Sequence, residues 1–191
     1  MNEVVSILIV GVGGQGTLLA SKLLGRILLA EGYDVKVSEL HGMSQRGGSV
    51  VTYVRYGDRV YSPIIDKGEA DCILSFEPLE AARYAEYLAP GGKIITNDRE
   101  TMPMPVISGA MAYPADIVAK LRAQGIDVDG FDAQTLAESA GSAKAVNLVL
   151  LGTLSRSFPF SEEEWMDAIE QSVPAKFLEM NKKAFLLGRG R

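Results

Sequence analysis

Glycines at 11, 13 and 16 stand directly after the apolar run Ile7-Leu8-Ile9-Val10, with Gly14 and Gln15 between the last two. A helical stretch follows at once. In that setting G-x-G-x-x-G is anion chemistry. The first glycine lets the chain turn off the strand, the second lets backbone approach a bound group, and the third lets helix pack on strand. The helix N-terminus then offers unpaired N–H groups and the positive end of its dipole. A tight strand-to-helix turn that binds nothing has the same spacing, so the motif alone does not decide. The second stretch with chemical potential is residues 39–48, Glu-Leu-His-Gly-Met-Ser-Gln-Arg-Gly-Gly. There the Arg46 guanidinium sits beside Ser44, Gln45, Gly47 and Gly48, and a fixed cation with flexible N–H groups grips phosphate or carboxylate well. The bland alternative is a solvated loop arginine.

Other polar residues carry weaker claims. Glu39 follows Gly16 at roughly the distance at which a dinucleotide fold places an acid for a ribose hydroxyl. The loop after it departs from that fold, so a surface carboxylate is the better reading. His41, the single histidine, reads as a packing or hydrogen-bonding residue, because no base–nucleophile pair is visible. Cys72, the single cysteine, falls on a buried strand and reads as an inert core residue. One Cys and one His supply neither an iron–sulfur cluster nor a structural zinc site. Asn147 and Asn181 read as buried hydrogen-bonding or capping residues. Tyr53, Tyr56 and Tyr61 read as a partner surface or as cross-strand packing. No residue is assigned as catalytic, and none as a metal ligand.

Positioning these residues requires an α/β chain. Of its 191 residues 47% are apolar, enough for a sizeable core, and the length suits a single domain over 1–191. The net charge of −5 without basic runs argues against nucleic acid and against an anionic membrane surface. No signal peptide or membrane span is visible, so a cytoplasmic location is expected. Strand one is expected over 4–10, apolar on both faces and therefore central. A helix from about 15 to 31 follows, with Leu18, Leu19, Leu23, Leu24, Ile27 and Leu28 inward, Ser21, Lys22 and Arg26 outward, and Gly32 at its end. A second strand over 34–38 should lie parallel and adjacent, through a right-handed crossover. Residues 49–56 and 59–65 read as an antiparallel hairpin about Gly57-Asp58. Further strands are expected over 71–76 and 93–96, with a helix over 77–88 and an extended piece at Val106-Ile107. The chain from about 115 to 191 reads as helical, with helices over 115–124, 132–139, 143–156, from Ser161, and 175–187. The fold class is three-layer α/β/α, with a mixed, mostly parallel sheet, a Rossmann-like start and an inserted hairpin.

Several segments, taken in order, resemble one known family. They are Gly11-Val12-Gly13-Gly14-Gln15-Gly16, His41-Gly42-Met43-Ser44-Gln45-Arg46-Gly47-Gly48, Asn147 with Leu151-Gly152, and Asn181 with Ala184-Phe185 and Gly188. The chain is similar, over nearly its whole length, to the gamma subunit or domain III of the 2-oxoacid:ferredoxin oxidoreductases, nearest the beta subunits of the indolepyruvate branch. The resemblance implies oxidative decarboxylation of a 2-oxoacid to an acyl-CoA, with electrons passed to ferredoxin. It places thiamine diphosphate, Mg and the [4Fe–4S] clusters on a partner alpha subunit. It also implies that this chain is inactive alone and helps to bind coenzyme A. That role carries over to Gly11, Gly13, Gly14, Gln15, Gly16, Ser44, Gln45, Arg46 and Gly47. A homodimer is one state open to the isolated chain. The alternatives are a stand-alone NAD(P)-binding oxidoreductase and a scaffold subunit with no ligand.

Overall fold

The structure, a computed structural model, describes residues 4–41 and 47–191, His41 by its backbone only. In chain order the elements are β1 (Val5–Val12), α1 (Thr17–Ala30), β2 (Asp34–His41), β3 (Ser49–Gly57), β4 (Ala70–Ser75), α2 (Pro78–Tyr84) and β5 (Leu88–Asn97). Then come the single turn α3 (Met104–Ile107), α4 (Ile117–Ala123), β6 (Asp127–Phe131), α5 (Ala133–Ala140), α6 (Val146–Ser155), α7 (Glu162–Glu170) and α8 (Leu178–Arg189).

The strands form one sheet in the order β2-β3-β1-β4-β5-β6. β1, β4, β5 and β6 are parallel neighbours, and β3 runs antiparallel to both β1 and β2. Side chains alternate across a strand, and β1 shows what that builds. Ile7 and Ile9 enter a core with Leu23, Leu24, Ala137, Leu148, Trp165 and Phe185 from α1, α5, α6, α7 and α8. Leu8 and Val10 enter a second core, with Ala81 of α2 and Leu121 of α4. The molecule is therefore three layers, α/β/α, around a mixed sheet, with β1 central.

Helix ends follow from local sequence. Gly32 sits in the left-handed region at φ +83°. Its N–H donates to Leu29 O (3.1 Å) and that of Tyr33 to Leu28 O (3.1 Å), which closes α1 as a Schellman motif. Ser161 and Glu164 form a capping box at the start of α7.

Five expectations are corrected. β2 is parallel to β1 but not adjacent, because β3 lies between them. The antiparallel pair is β2–β3, and residues 59–65 form no strand. β3 already has β1 on one side and β2 on the other, so a returning strand has no free edge to pair with. Instead Val60 N–H donates to Asp34 Oδ2 at 2.8 Å, and the chain leaves the sheet for β4. Residues 127–131, expected within the helical part, form the edge strand β6; in Asp-Val-Asp-Gly-Phe only Val128 is fully buried, so the apolar pattern was thin. Val106 and Ile107 belong to a helical turn, for which the fixed φ of Pro105 is pre-set. On α1, Ser21 is buried and its hydroxyl donates to Leu18 O (3.0 Å), whereas Leu18 is exposed.

A candidate anion site at the topological switch point

The chain leaves β1 through α1 on one face of the sheet and leaves the neighbouring β4 through α2 on the other. That divergence opens a crevice beyond the carboxyl ends of the two strands, where ligands of open α/β sheets bind. The glycine motif lines it, and each residue has a separate task. Gly11 is still in the strand, opposite Val50. A Cβ there would come within 2.8 Å of Gln15 Oε1 and 3.0 Å of Phe76 Cβ, so Gly11 makes room for the Gln15 side chain. That side chain folds back: Val12 N–H donates to Gln15 Oε1 at 2.7 Å. Its Nε2 donates to Thr101 Oγ1 at 3.3 Å. Gly13 prolongs the β1–β3 ladder, its N–H donating to Gly48 O (2.8 Å) and its carbonyl accepting from Gly47 N–H (3.3 Å). Gly14 and Gly16 lie at φ +102° and +92°, conformations that favour glycine.

Gly16 caps α1 without a side-chain hydrogen bond, and the first turn holds no acid. The helix thus presents a bare positive end. A Cβ on Gly16 would lie 2.8 Å from Asn147 Nδ2. Buried Asn147 reaches over from α6 and donates to Gly16 O at 3.4 Å. It clamps the loop from behind, which unites its hydrogen-bonding and capping readings.

Cavities flank the loop. One, of about 630 Å³, is lined by Gly14, Gln15, Gly16, Asn97, Arg99 and Lys144 among others. A second, of about 390 Å³, lies on the β2 side, with Glu39 as its charged lining residue. An anion at the end of α1 therefore meets two cations and the Glu100 carboxylate on one side, and Glu39 alone on the other. Arg99 and Lys144 were missed from sequence. Arg99 follows β5 and Lys144 lies in a 3-10 turn between α5 and α6, and only the fold brings them to the glycines. Arg99 is shared with Asp132 at 3.4 Å. Ser44, Gln45 and Arg46 lie outside the described residues. Gly47, at φ +78°, lines a third cavity of about 230 Å³ with Val12, Ser49, Glu77 and Glu80.

Two buried carboxylates stand behind this edge. Glu77 Oε2 accepts from Glu80 N–H at 3.0 Å and caps α2. Its Oε1 accepts from Thr101 N–H at 3.2 Å and from the Tyr113 hydroxyl. Burial, then the bond to Glu77, pushes the Tyr113 phenol upward. Glu80 accepts from Ser49 Oγ and pairs with Arg83 at 3.2 Å. Burial nevertheless raises the Glu80 carboxyl above its ordinary value, against the pull of Ser49 and Arg83. Asn97 is equally structural: it donates to Phe76 O (3.4 Å) and accepts from Ala133 N–H (3.0 Å), tying β5 to the loop after β4 and to α5.

The remaining candidates disperse. Cys72 is buried in β4 and its thiol is pushed up to about 12 by that burial, which leaves it unreactive. Asn181 Nδ2 donates at 2.8 Å to the carbonyl of Phe177, the cap residue just before its own helix, and does not reach the site. His41 ends β2 opposite Val50. The three tyrosines form no common surface. Tyr53 faces the α2 core, Tyr56 stacks edge-on against Tyr33 at 5.2 Å on the other face, and Tyr61 is off the sheet and exposed. If Glu39 were to hold a ribose, it would do so from one strand further out than in a dinucleotide fold, roughly 10 Å from β1 rather than 5 Å.

Residues 6–190 match the family model described as pyruvate ferredoxin/flavodoxin oxidoreductase. The chain is 48% identical over 188 residues to the indolepyruvate oxidoreductase subunit IorB of Thermococcus kodakarensis, covering 96% of this chain and 93% of that one. Among solved structures it is similar to the gamma subunit of a keto/oxoacid ferredoxin oxidoreductase from Geobacter sulfurreducens, with a TM-score of 0.71 at 23% identity, over 97% of this chain and 96% of that one. It also superposes on 31% of a 2-oxoglutarate:ferredoxin oxidoreductase chain from Magnetococcus marinus, with a TM-score of 0.77 at 17% identity over all of this chain; that structure was determined with 2-oxoglutarate, coenzyme A and succinyl-CoA bound.

Proposed function

The chain belongs to the pyruvate ferredoxin/flavodoxin oxidoreductase family and is one subunit of a 2-oxoacid:ferredoxin oxidoreductase, and from that premise we propose that its enzyme oxidises indolepyruvate or a related aryl pyruvate. The end-to-end similarity to an indolepyruvate oxidoreductase subunit supports the substrate class. The partner subunit carries thiamine diphosphate, Mg and the [4Fe–4S] clusters, and ferredoxin accepts the electrons. With one cysteine and one histidine, this chain lacks the ligands for such clusters. The whole of 1–191 acts as one gamma-type domain in the cytoplasm.

This chain's own part is to hold coenzyme A by its phosphates. The observation that carries this is the bare end of α1 at the switch point, with Arg99 and Lys144 lining the same cavity. A phosphate seated there gains backbone N–H bonds and the pull of two cations, each charge-assisted bond being worth about 1.5–3 kcal/mol, against the one carboxylate of Glu100 in the same cavity. Gly14 and Gly16 let backbone approach the phosphate, and Ser44, Gln45, Arg46 and Gly47 supply it with further hydrogen bonds and a charge. Gly11, Gly13 and Gln15 act one step removed, by shaping the loop.

The test is the apparent KM for coenzyme A of the reconstituted enzyme. Lys144→Ala and Arg46→Ala should each raise it roughly tenfold to a hundredfold, with assembly intact. An unchanged KM for both leaves a scaffold subunit. The isolated chain should be colourless and inactive on 2-oxoacids, and should show no micromolar affinity for NADH or NADPH by calorimetry. Turnover without a partner would overturn the subunit reading.

A further inference from the structure

Glu77 opens α2, on the face of the sheet away from α1, yet its carboxylate is tied to the glycine loop. Glu77 Oε1 accepts from Thr101 N–H at 3.2 Å, Thr101 Oγ1 accepts from Gln15 Nε2 at 3.3 Å, and Gln15 Oε1 accepts from Val12 N–H at 2.7 Å. Val12 ends β1, where the turn begins. The bond to Thr101 N–H also pins a second element. Residues 98–101 leave the end of β5 with Asp98 N–H on Phe131 O at 2.9 Å and Thr101 N–H on Glu77. Arg99 and Glu100 lie between these two anchors and line the 630 Å³ cavity. Thr101 lines both that cavity and the 230 Å³ one, so the two arms meet at a residue between them.

Capping α2 does not call for this residue. Glu77 Oε2 accepts from Glu80 N–H at 3.0 Å, a task that a shorter Ser or Asp performs at most helix starts. Glu77 is longer than the cap needs, and it is only 1% exposed. Burying a carboxylate is costly unless donors surround it. The extra length is used by Oε1, which takes Thr101 N–H and the Tyr113 hydroxyl. Hydrogen bonds to an ionised acceptor are about twice as strong as neutral ones, which suits an anchor for loop segments.

We infer that Glu77 is a positioning residue of the anion site: through Thr101 it fixes both the turn shaped by Gln15 and the segment that bears Arg99. Glu77 acts from behind the site, through bonds to other residues. That the anion is coenzyme A rests on the functional reading above; the anchoring of the two segments does not.

Three variants separate the arms. Glu77→Asp keeps the charge and the cap of α2 but, one methylene shorter, withdraws from Thr101 and Tyr113. Thr101→Val keeps its volume and the N–H to Glu77 but removes the hydroxyl that Gln15 holds, and Thr101→Ser keeps that hydroxyl. Amide exchange of the full, ligand-free chain, resolved by NMR, reads each arm. Glu77→Asp should speed exchange at both the Thr101 and Val12 amides by roughly threefold to tenfold, the loss of one modest hydrogen bond at each. Thr101→Val should do so at Val12 alone, and Thr101→Ser at neither. In the reconstituted enzyme, Glu77→Asp and Thr101→Val should raise the apparent KM for coenzyme A by a similar factor with kcat unchanged, and Thr101→Ser should restore it. If Glu77→Asp does not fold, the two Thr101 variants carry the test. Wild-type exchange and KM in Glu77→Asp would mean that Glu77 only caps α2, and the inference is overturned. Wild-type exchange at Val12 in Thr101→Val overturns it equally. If Lys144→Ala raises the KM and neither Glu77→Asp nor Thr101→Val does, the coenzyme A reading stands and the positioning role falls. If exchange changes as expected while the KM stays at wild type in these variants and in Lys144→Ala, the coenzyme A reading falls and the anchoring stands.

Discussion

Glycine does opposite work in two regions of this molecule. At the end of β1, Gly14 adopts φ +102° and a Cβ there would meet nothing within 4 Å; the glycine leaves space. In the seam between α6 and α8 space is used up. A Cβ on Gly152 would lie 2.0 Å from Phe185 O, and one on Gly188 would lie 1.9 Å from Val149 O. Thr153 Oγ1 closes the same seam by donating to Gly188 O at 3.0 Å. Both regions carry glycines from the segments on which the family resemblance rests, but the first holds a backbone open toward a crevice and the second lets two helix backbones touch. A recurring glycine is thus no guide to a binding site until its surroundings are known.

The sharpest way to break this comparison is to add one methyl group in each region. Gly152→Ala or Gly188→Ala should cost about 3 kcal/mol or more, because the overlap is with backbone that cannot rotate away. Gly14→Ala should cost only about 1–2 kcal/mol, the penalty for a left-handed alanine with room around it. Urea unfolding of the three variants decides the matter. Equal losses would mean that the loop is packed as tightly as the seam. The Gly14 variant should also show the larger change in KM for coenzyme A once reconstituted, although it is the more stable protein.

Asn147 sits where the two regions meet, on α6 but clamped to Gly16. Asn147→Ala should cost about 1–3 kcal/mol, from two lost hydrogen bonds, one donated to Gly16 O and one accepted from Leu148 N–H, and a small void. Gly16 O keeps its bonds from Leu19 and Ala20 N–H, so no buried carbonyl is orphaned. The same variant should loosen the glycine loop, read as faster hydrogen exchange at Gly14 to Thr17 with α6 unaffected. Exchange that accelerates along the whole of α6 would make Asn147 a seam residue instead.

How much of this was legible beforehand differs between the regions as well. β1, the helix starting near Gly16, the Schellman end at Gly32 and the Ser161 cap are local patterns, and each lies close to where the sequence puts it. The adjacency of β2 was not legible, because strand order depends on which edge stays free, and β3 had taken the one beside β1. Arg99 and Lys144 lie far from the glycines along the chain and carry no motif. Glu77 carries no motif, and nothing local tells that it holds both Thr101 and Tyr113. The α6–α8 seam was not legible: Gly152 and Gly188 stand in the resembling segments, but a glycine in a helix is by itself only a weak helix former.

The smallest expected effect concerns charge rather than volume. The site edge buries Glu80, and its carboxyl is raised above the ordinary 4.5 chiefly by burial. A carboxyl raised by folding keeps its proton in the native state at pH values where the unfolded chain has lost it. Stability from this group is therefore whole below 4.5 and is lost as pH rises through the folded value. Glu80→Gln cannot ionise, and it keeps a carbonyl for the Ser49 hydroxyl. The stability of wild type relative to this variant should be greatest below 4.5 and should fall as pH approaches neutrality, by less than either glycine effect. Urea midpoints across that range give the sign directly. A difference that grows with pH would show that Arg83 and Ser49 outweigh burial, so that Glu80 is a firmly held anion. The edge facing the crevice would then be built around a stabilised charge, as ordered in its electrostatics as the seam is in its packing.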